Sequence, residues 1–177
     1  MKFRETDIPD AWEITIDKKS DDRGFFGRGY CEREFREHGI IFNMVQANIG
    51  YSKHKNTLRG LHYQVEPDAE QKLIRCLKGA VFDVIADLRP DSATYGQWTG
   101  VELTAGNYAM LLVPEGCAHG YQTLTDDAEI FYMVSACYAP GSERGIPWDD
   151  PAFNIQWRDS ENLIISEKDK NWPEYTI

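Results

Sequence analysis

Histidine is scarce in this chain of 177 residues: only His38, His54, His62 and His119 occur, and no two stand two positions apart. The HxH pair with which many β-rich enzymes grip a metal is therefore missing. Two distant histidines make no three-ligand site unless a carboxylate joins them, so no metal and no cofactor are expected. The four cysteines, Cys31, Cys76, Cys117 and Cys137, include no CxxC pair, which excludes a zinc knuckle and a thioredoxin-type motif. They are expected to be reduced and mostly buried. Long apolar runs are absent too: a stretch such as 108–113 falls far short of the roughly 20 residues that span a membrane. The start, MKFRETDIPD, is too polar for a signal peptide. Positive charge is in deficit, with 19 Lys and Arg against 29 Asp and Glu and a net charge of −10. That balance argues against non-specific binding to nucleic acid or anionic membrane. A nucleophile elbow is lacking, since Gly141-Ser142 has no closing glycine, and neither a P-loop nor a dinucleotide fingerprint occurs. What remains is a cytoplasmic protein of one domain, 1–177.

Helical patterning is confined to one stretch, 31–39 (CEREFREHG), with strong helix formers and a glycine stop. Elsewhere short alternating or apolar runs at 11–16, 44–49, 72–77, 80–88, 97–103, 108–113 and 129–138 read as strands between Gly, Pro, Asn and Asp turns. This predicts a mainly β protein, a β-sandwich of jelly-roll type with one or two short helices. The last third, with DDPAFNIQW and a polar tail, is expected to wrap the outside.

His38, among helical charges, and His54, in a lysine-bearing loop, read as solvated. His62 lies in LRGLHYQ (58–64), where a glycine lets backbones approach and an arginine stands close by. His119 lies in PEGCAHGY (114–121), read as turn-rich, and in a turn Cys117 and His119 would point apart. For either histidine alone a structural role is the better reading. The segment 23–29 frames Phe25 and Phe26 between Arg23 and Arg28. A guanidinium fork suits phosphate oxygens and an aromatic face suits a base or sugar. A surface turn with a buried phenylalanine fits the same residues equally well.

Taken together, DRGFF (22–26), QAN (46–48), LRGLHYQ (58–64), QKLIR (71–75), GAVFDVIADLR (79–89), SATYGQW (92–98), VPEGCAHGY (113–121), IPWDDP (146–151) and SEKD (166–169) occur in that order. This series resembles the dTDP-4-dehydrorhamnose 3,5-epimerase family, a metal-independent branch of the cupin fold, from position 22 to 173. The resemblance implies a cupin-type jelly roll, a homodimer with shared active sites, and a nucleotide-diphosphate 4-keto-6-deoxyhexose as substrate. By the same resemblance His62 is the general base, Asp169 its orienting carboxylate, Tyr132 the acid on the opposite face, and Lys72 the cation beside O4. His119 contacts substrate. Arg23, Phe26, Arg28, Gln46, Asn48, Arg59, Tyr138, Glu143 and Lys168 match positions that hold the nucleotide, the diphosphate or neighbouring groups, with Arg23 on an arm reaching the partner's site.

Those roles suit the chemistry. C3 and C5 both flank the C4 ketone, so their protons become acidic only when charge on O4 is stabilised, which a lysine ammonium does. Imidazole titrates at roughly pH 6.5, suiting proton abstraction, and inversion requires a second group delivering a proton from the other side. Two positions depart from the family pattern: Arg28 stands where dTDP-specific members usually carry glutamate, and Met133 where lysine is common. CDP- and GDP-linked sugars therefore stand beside dTDP as alternatives, as does inversion at C3 or C5 alone. Beyond epimerisation, a 4-keto sugar isomerase of the same fold and a non-catalytic sugar-binding jelly roll remain readings of this chain.

Overall fold

The computed structural model describes residues 1–176; residue 177, where the expected domain ends, lies outside the described residues. In chain order the elements are β1 (Lys2–Glu5), β2 (Trp12–Thr15), β3 (Lys19–Asp21), β4 (Gly24–Phe26), α1 (Glu32–Glu37), β5 (Gln46–Ser52), β6 (Thr57–Gln64) and β7 (Lys72–Lys78). There follow β8 (Ala80–Asp87), β9 (Trp98–Thr104), β10 (Ala109–Val113), β11 (Cys117–Thr123), β12 (Ala128–Val134), β13 (Glu143–Gly145), β14 (Ile164–Ile165) and α2 (Glu167–Lys170). One sheet runs β1-β2-β10-β7-β12-β5; the second runs β13-β6-β11-β8-β9, with β14 added parallel to β6. The small hairpin β3–β4 stands apart from both. This is the expected jelly-roll sandwich, mainly β with two short helices among the described residues.

Alternation along the strands sorts side chains into three apolar layers. Ile74, Leu111 and Ile130 from the first sheet meet Val81, Ile85 and Leu103 from the second, forming the core between the sheets. The other face of the first sheet, with Ile14, Leu73 and Met110, is covered by Phe35 of α1 and by Ile40 and Phe42. The other face of the second sheet, with Phe82, Val84 and Ala118, is covered by Phe153, Ile155 and Trp157, so the last third wraps the sandwich as its apolar residues suggested. Covering both faces explains why β8, β10 and β11 are buried along nearly their whole length instead of alternating. No helix among the described residues is long and apolar enough to cross a membrane.

Several expectations need correction. Residues 117–123 form a full strand, not a turn, so Cys117 and His119 share its inward face two residues apart. The run 129–138 leaves the sheet after Val134. Only Cys76 and Cys117 are buried; Cys31 is half-buried and Cys137 exposed.

Candidate active site

Inward positions of β5, β6, β7, β11 and β12 at one end of the sandwich are polar, and there the sheets separate around two adjoining cavities of about 350 and 630 Å³. His62, Lys72 and Tyr132 line both, so the two form one continuous cleft. His62 comes from the second sheet and Tyr132 from the first, so they stand on opposing walls.

A bulge in β6 sets the position of His62. Arg59 pairs with Tyr121 and His62 with His119, so β6 spends three residue steps where β11 spends two. In a regular strand residues three apart face opposite ways; the extra residue turns Arg59 and His62 into the same cleft. Glycine is required at the bulge. Gly60 has φ +122°, and a Cβ there would lie 2.5 Å from Gly120 Cα and 2.8 Å from the His119 carbonyl oxygen.

The partner of His62 arrives from the far end of the chain. β14 pairs with Thr57 and Leu58, bringing α2 alongside β6. Ser166 caps that short helix, its hydroxyl accepting from the Asp169 N–H at 3.1 Å. The buried Asp169 carboxylate then meets His62 Nε2 at 2.6 Å and accepts from the Gly60 N–H at 3.4 Å. Burial pushes the Asp169 carboxyl up, but the hydrogen bond and charge of His62 outweigh it and leave the carboxyl below its ordinary range. An ionised carboxylate only accepts, so the bonded ring nitrogen carries a proton, and in the neutral imidazole the other nitrogen holds the lone pair.

Lys72 opens β7 on the inward face, its ammonium donating to the His62 carbonyl oxygen at 3.2 Å. Tyr132, inward on β12, is held protonated well past neutrality: burial raises its pKa, Glu70 adds to the rise and Arg59 opposes it. His119 forms a second dyad deeper in the cleft, with Nε2 2.7 Å from Asp83 Oδ1, while the other Asp83 oxygen is buried and finds no partner among the described residues. Cys117, on the same face, is no nucleophile: burial and the charge of Asp87 push its thiol up to about 12.

At the rim, Gln46 and Asn48 hydrogen-bond each other, and Gln46 accepts from the Tyr138 N–H at 3.1 Å. Glu143 accepts from the Tyr138 hydroxyl at 2.8 Å and from Lys168 at 2.6 Å. Arg59 donates to Ser52 and to the Tyr51 carbonyl, and among the described residues it pairs with no carboxylate. The structure therefore gathers His62, Lys72, Tyr132, Asp169, Gln46, Asn48, Arg59, His119, Tyr138, Glu143 and Lys168 around one cleft. Arg23, Phe26 and Arg28 are not among them. Arg23 is bound to Asp21 on the exposed hairpin, Phe26 is 71% exposed, and Arg28 pairs with Glu34 of α1 at 2.9 Å. Among the described residues no three His, Cys, Asp or Glu side chains converge as metal ligands.

Three side chains escaped the sequence reading. Asp83 was visible as a charge at an inward position of the apolar run 80–88, on the same face as Val81 and Ile85. Gln64 is buried and holds the loop bearing Tyr138, donating to the Cys137 carbonyl and accepting from the Ala139 N–H. Glu70 lies 3.3 Å from the Lys72 ammonium, two residues before it on the same face.

A family model described as dTDP-4-dehydrorhamnose 3,5-epimerase matches residues 5–176. A protein of that description from Sinorhizobium fredii is 43% identical over 173 residues, covering 98% of this chain and 89% of its own. The Bacillus anthracis dTDP-4-dehydrorhamnose 3,5-epimerase, solved with TDP and PPi bound, superposes with a TM-score of 0.94 at 40% identity, over 98% of this chain and 99% of that one. A Legionella pneumophila dTDP-6-deoxy-D-glucose-3,5-epimerase, solved with dTDP-4-keto-L-rhamnose, gives a TM-score of 0.89 at 35% identity, over 99% of each chain.

Proposed function

For a chain that belongs to the dTDP-4-dehydrorhamnose 3,5-epimerase family, we propose an acid–base epimerisation carried out across the cleft between its two sheets. The protein is an isomerase of deoxysugar biosynthesis that epimerises a dTDP-linked 4-keto-6-deoxyhexose, at C3 and C5. The observation that carries the residue assignment is the opposition of the His62–Asp169 dyad to Tyr132 across one cleft, with Lys72 on the strand beside Tyr132 and reaching the His62 carbonyl.

His62 removes a proton from the carbon beside the ketone. The electron pair moves onto O4, where the Lys72 ammonium stabilises the enolate. Asp169 fixes the imidazole tautomer and stabilises the imidazolium. Tyr132 delivers a proton to the other face of the same carbon, inverting it. Repetition at the second carbon completes the reaction, and solvent resets both groups. His119 contacts the sugar, Arg59 and Lys168 meet the diphosphate, and Gln46, Asn48, Tyr138 and Glu143 bind toward the nucleoside. A pure sugar-binding module has no use for a base, a cation and an acid so arranged.

The homodimer belongs to this reading. The hairpin bearing Arg23 and Phe26 pairs with neither large sheet and is exposed along its length, and Ile49 and Tyr51 leave apolar surface exposed on the edge strand β5. An exposed edge and an unpaired hairpin suit exchange with a second copy, which would carry Arg23, Phe26 and Arg28 to the neighbouring cleft. The test is incubation with dTDP-, CDP- and GDP-4-keto-6-deoxyglucose in heavy water, followed by NMR. Deuterium entering C3 and C5 of the dTDP sugar, with inverted product, is expected; exchange at neither carbon overturns the assignment.

A further inference from the structure

Beside Asp169, two more carboxylates line the cleft, Glu70 and Glu143. Glu143 is spent on Lys168. Glu70 is spent on Lys72: its Oε1 lies 3.3 Å from the ammonium, and both side chains are only 10% exposed. A pinned loop holds it there. The Gln71 N–H donates to Ser135 Oγ at 2.8 Å, the Ser135 N–H returns to the Gln71 carbonyl at 3.1 Å, and the Asp68 carboxylate accepts from Ser142 Oγ at 2.6 Å. An ammonium has three donors on a flexible four-carbon stem. Here one donor is taken by the His62 carbonyl and Glu70 flanks a second side, which leaves the remainder of the ammonium facing the cleft.

Resting on the epimerase reading above, we propose that Glu70 is a positioning residue for that reaction: it aims the Lys72 ammonium at the substrate's keto oxygen. The groups facing Tyr132 are Glu70 and Lys72 from β7 and its loop, Arg59 and the His62–Asp169 dyad from β6 and α2, and Tyr121 and His119 from β11; β5 presents the uncharged Asn48. Of these, Glu70 raises the Tyr132 pKa and Arg59 lowers it. Glu70 thus acts first on the cation at O4, and its charge adds to the burial that raises the Tyr132 pKa.

The test compares wild type, Glu70→Gln and Glu70→Asp on dTDP-4-keto-6-deoxyglucose, with kcat, KM and the pH profile read for each. Misplacement by about 1 Å costs up to roughly 100-fold, so Glu70→Gln should lose about ten-fold or more in kcat with KM within about two-fold. Its alkaline limb should move to lower pH, since Tyr132 loses the negative neighbour that raises its pKa. Glu70→Asp keeps the charge and should keep the limb at the wild-type pH with an intermediate kcat. A Glu70→Gln enzyme with wild-type kcat and an unmoved limb overturns the proposal. Should that variant fail to fold, a Glu70→Asp enzyme with undiminished kcat overturns it instead. Failure of the epimerase reading looks different: wild type itself then exchanges no deuterium.

Discussion

Replacing Asp169 by asparagine keeps the shape of the dyad and removes its charge. The carboxylate is buried, 2.6 Å from His62 Nε2. When His62 takes a proton, the two charge centres stand about 4 Å apart, which at an effective dielectric of about 20 is worth about 4 kcal/mol. At 1.36 kcal/mol per decade this is about three decades of rate; solvent relaxation around the open cleft makes it an upper bound. Asp169→Asn should therefore lose about 10²–10³-fold in kcat with KM nearly unchanged, measured as deuterium entry into the 4-keto sugar. Stability gives an independent reading. The folded carboxyl lies below its ordinary range, so its contribution is fully present above the unfolded pKa, about pH 4, and is lost as pH falls through the folded value. The gap in melting temperature between wild type and Asp169→Asn should be widest near neutrality and close in acid. A folded variant within about five-fold of wild-type kcat would refute the reasoning.

Other consequences follow from the same geometry. Gly60→Ala forces a Cβ against Gly120 and the His119 carbonyl at φ +122°, and should cost about 2–4 kcal/mol in denaturant unfolding, or prevent folding; an alanine variant of wild-type stability would deny the tight bulge. Lys72→Ala should lower kcat by about 10²-fold or more, as an oxyanion loses its nearest cation, seen in the same exchange assay. If the hairpin arm completes a neighbouring cleft, mixing inactive His62→Ala with inactive Arg23→Ala subunits should restore part of the activity; heterodimers shown to form yet wholly inactive would argue for sites built from one chain. Cys117 should resist thiol reagents until the protein unfolds, since its thiol is held at about 12, whereas the exposed Cys137 should react at once.

The sequence disclosed the sandwich where inward positions are apolar. The runs at 72–77, 80–88 and 108–113 became β7, β8 and β10 with shifts of a residue at their ends. It hid β6 and β11, because there the inward positions carry Arg59, His62 and His119, and cleft-lining polar groups erase the alternation that marks a strand. Of the five strands that line the site, β5, β7 and β12 were read as strands, β11 was read as turn-rich and β6 carried no strand reading. Short β13, β14 and α2 were equally opaque, since their pairing with β6 is a long-range contact with no local pattern. Site residues were legible only through family motifs, and these name side chains without showing which of them meet. Glu70 and Asp83 illustrate the loss: each matters through one partner, Lys72 or His119, and Glu70 lies outside the motifs while Asp83 lies inside one that does not show its partner. Arg23, Phe26 and Arg28 show the opposite limit, being named by motif yet standing away from the cleft of their own chain.

The central claim is that His62 and Tyr132 act on opposite faces of the same carbon, and separating exchange from inversion tests it most directly. Wild type, His62→Ala and Tyr132→Phe are incubated with dTDP-4-keto-6-deoxyglucose in heavy water, and NMR follows deuterium at C3 and C5 together with configuration. Acid–base groups contribute about 10²–10⁴-fold, so both variants should lose product on that scale. His62→Ala should exchange at neither carbon, while Tyr132→Phe should still admit deuterium with configuration retained, since the enolate forms but is not protonated from the far side. Inverted product from Tyr132→Phe at a rate within a few-fold of wild type, or continued exchange in His62→Ala, would contradict the account.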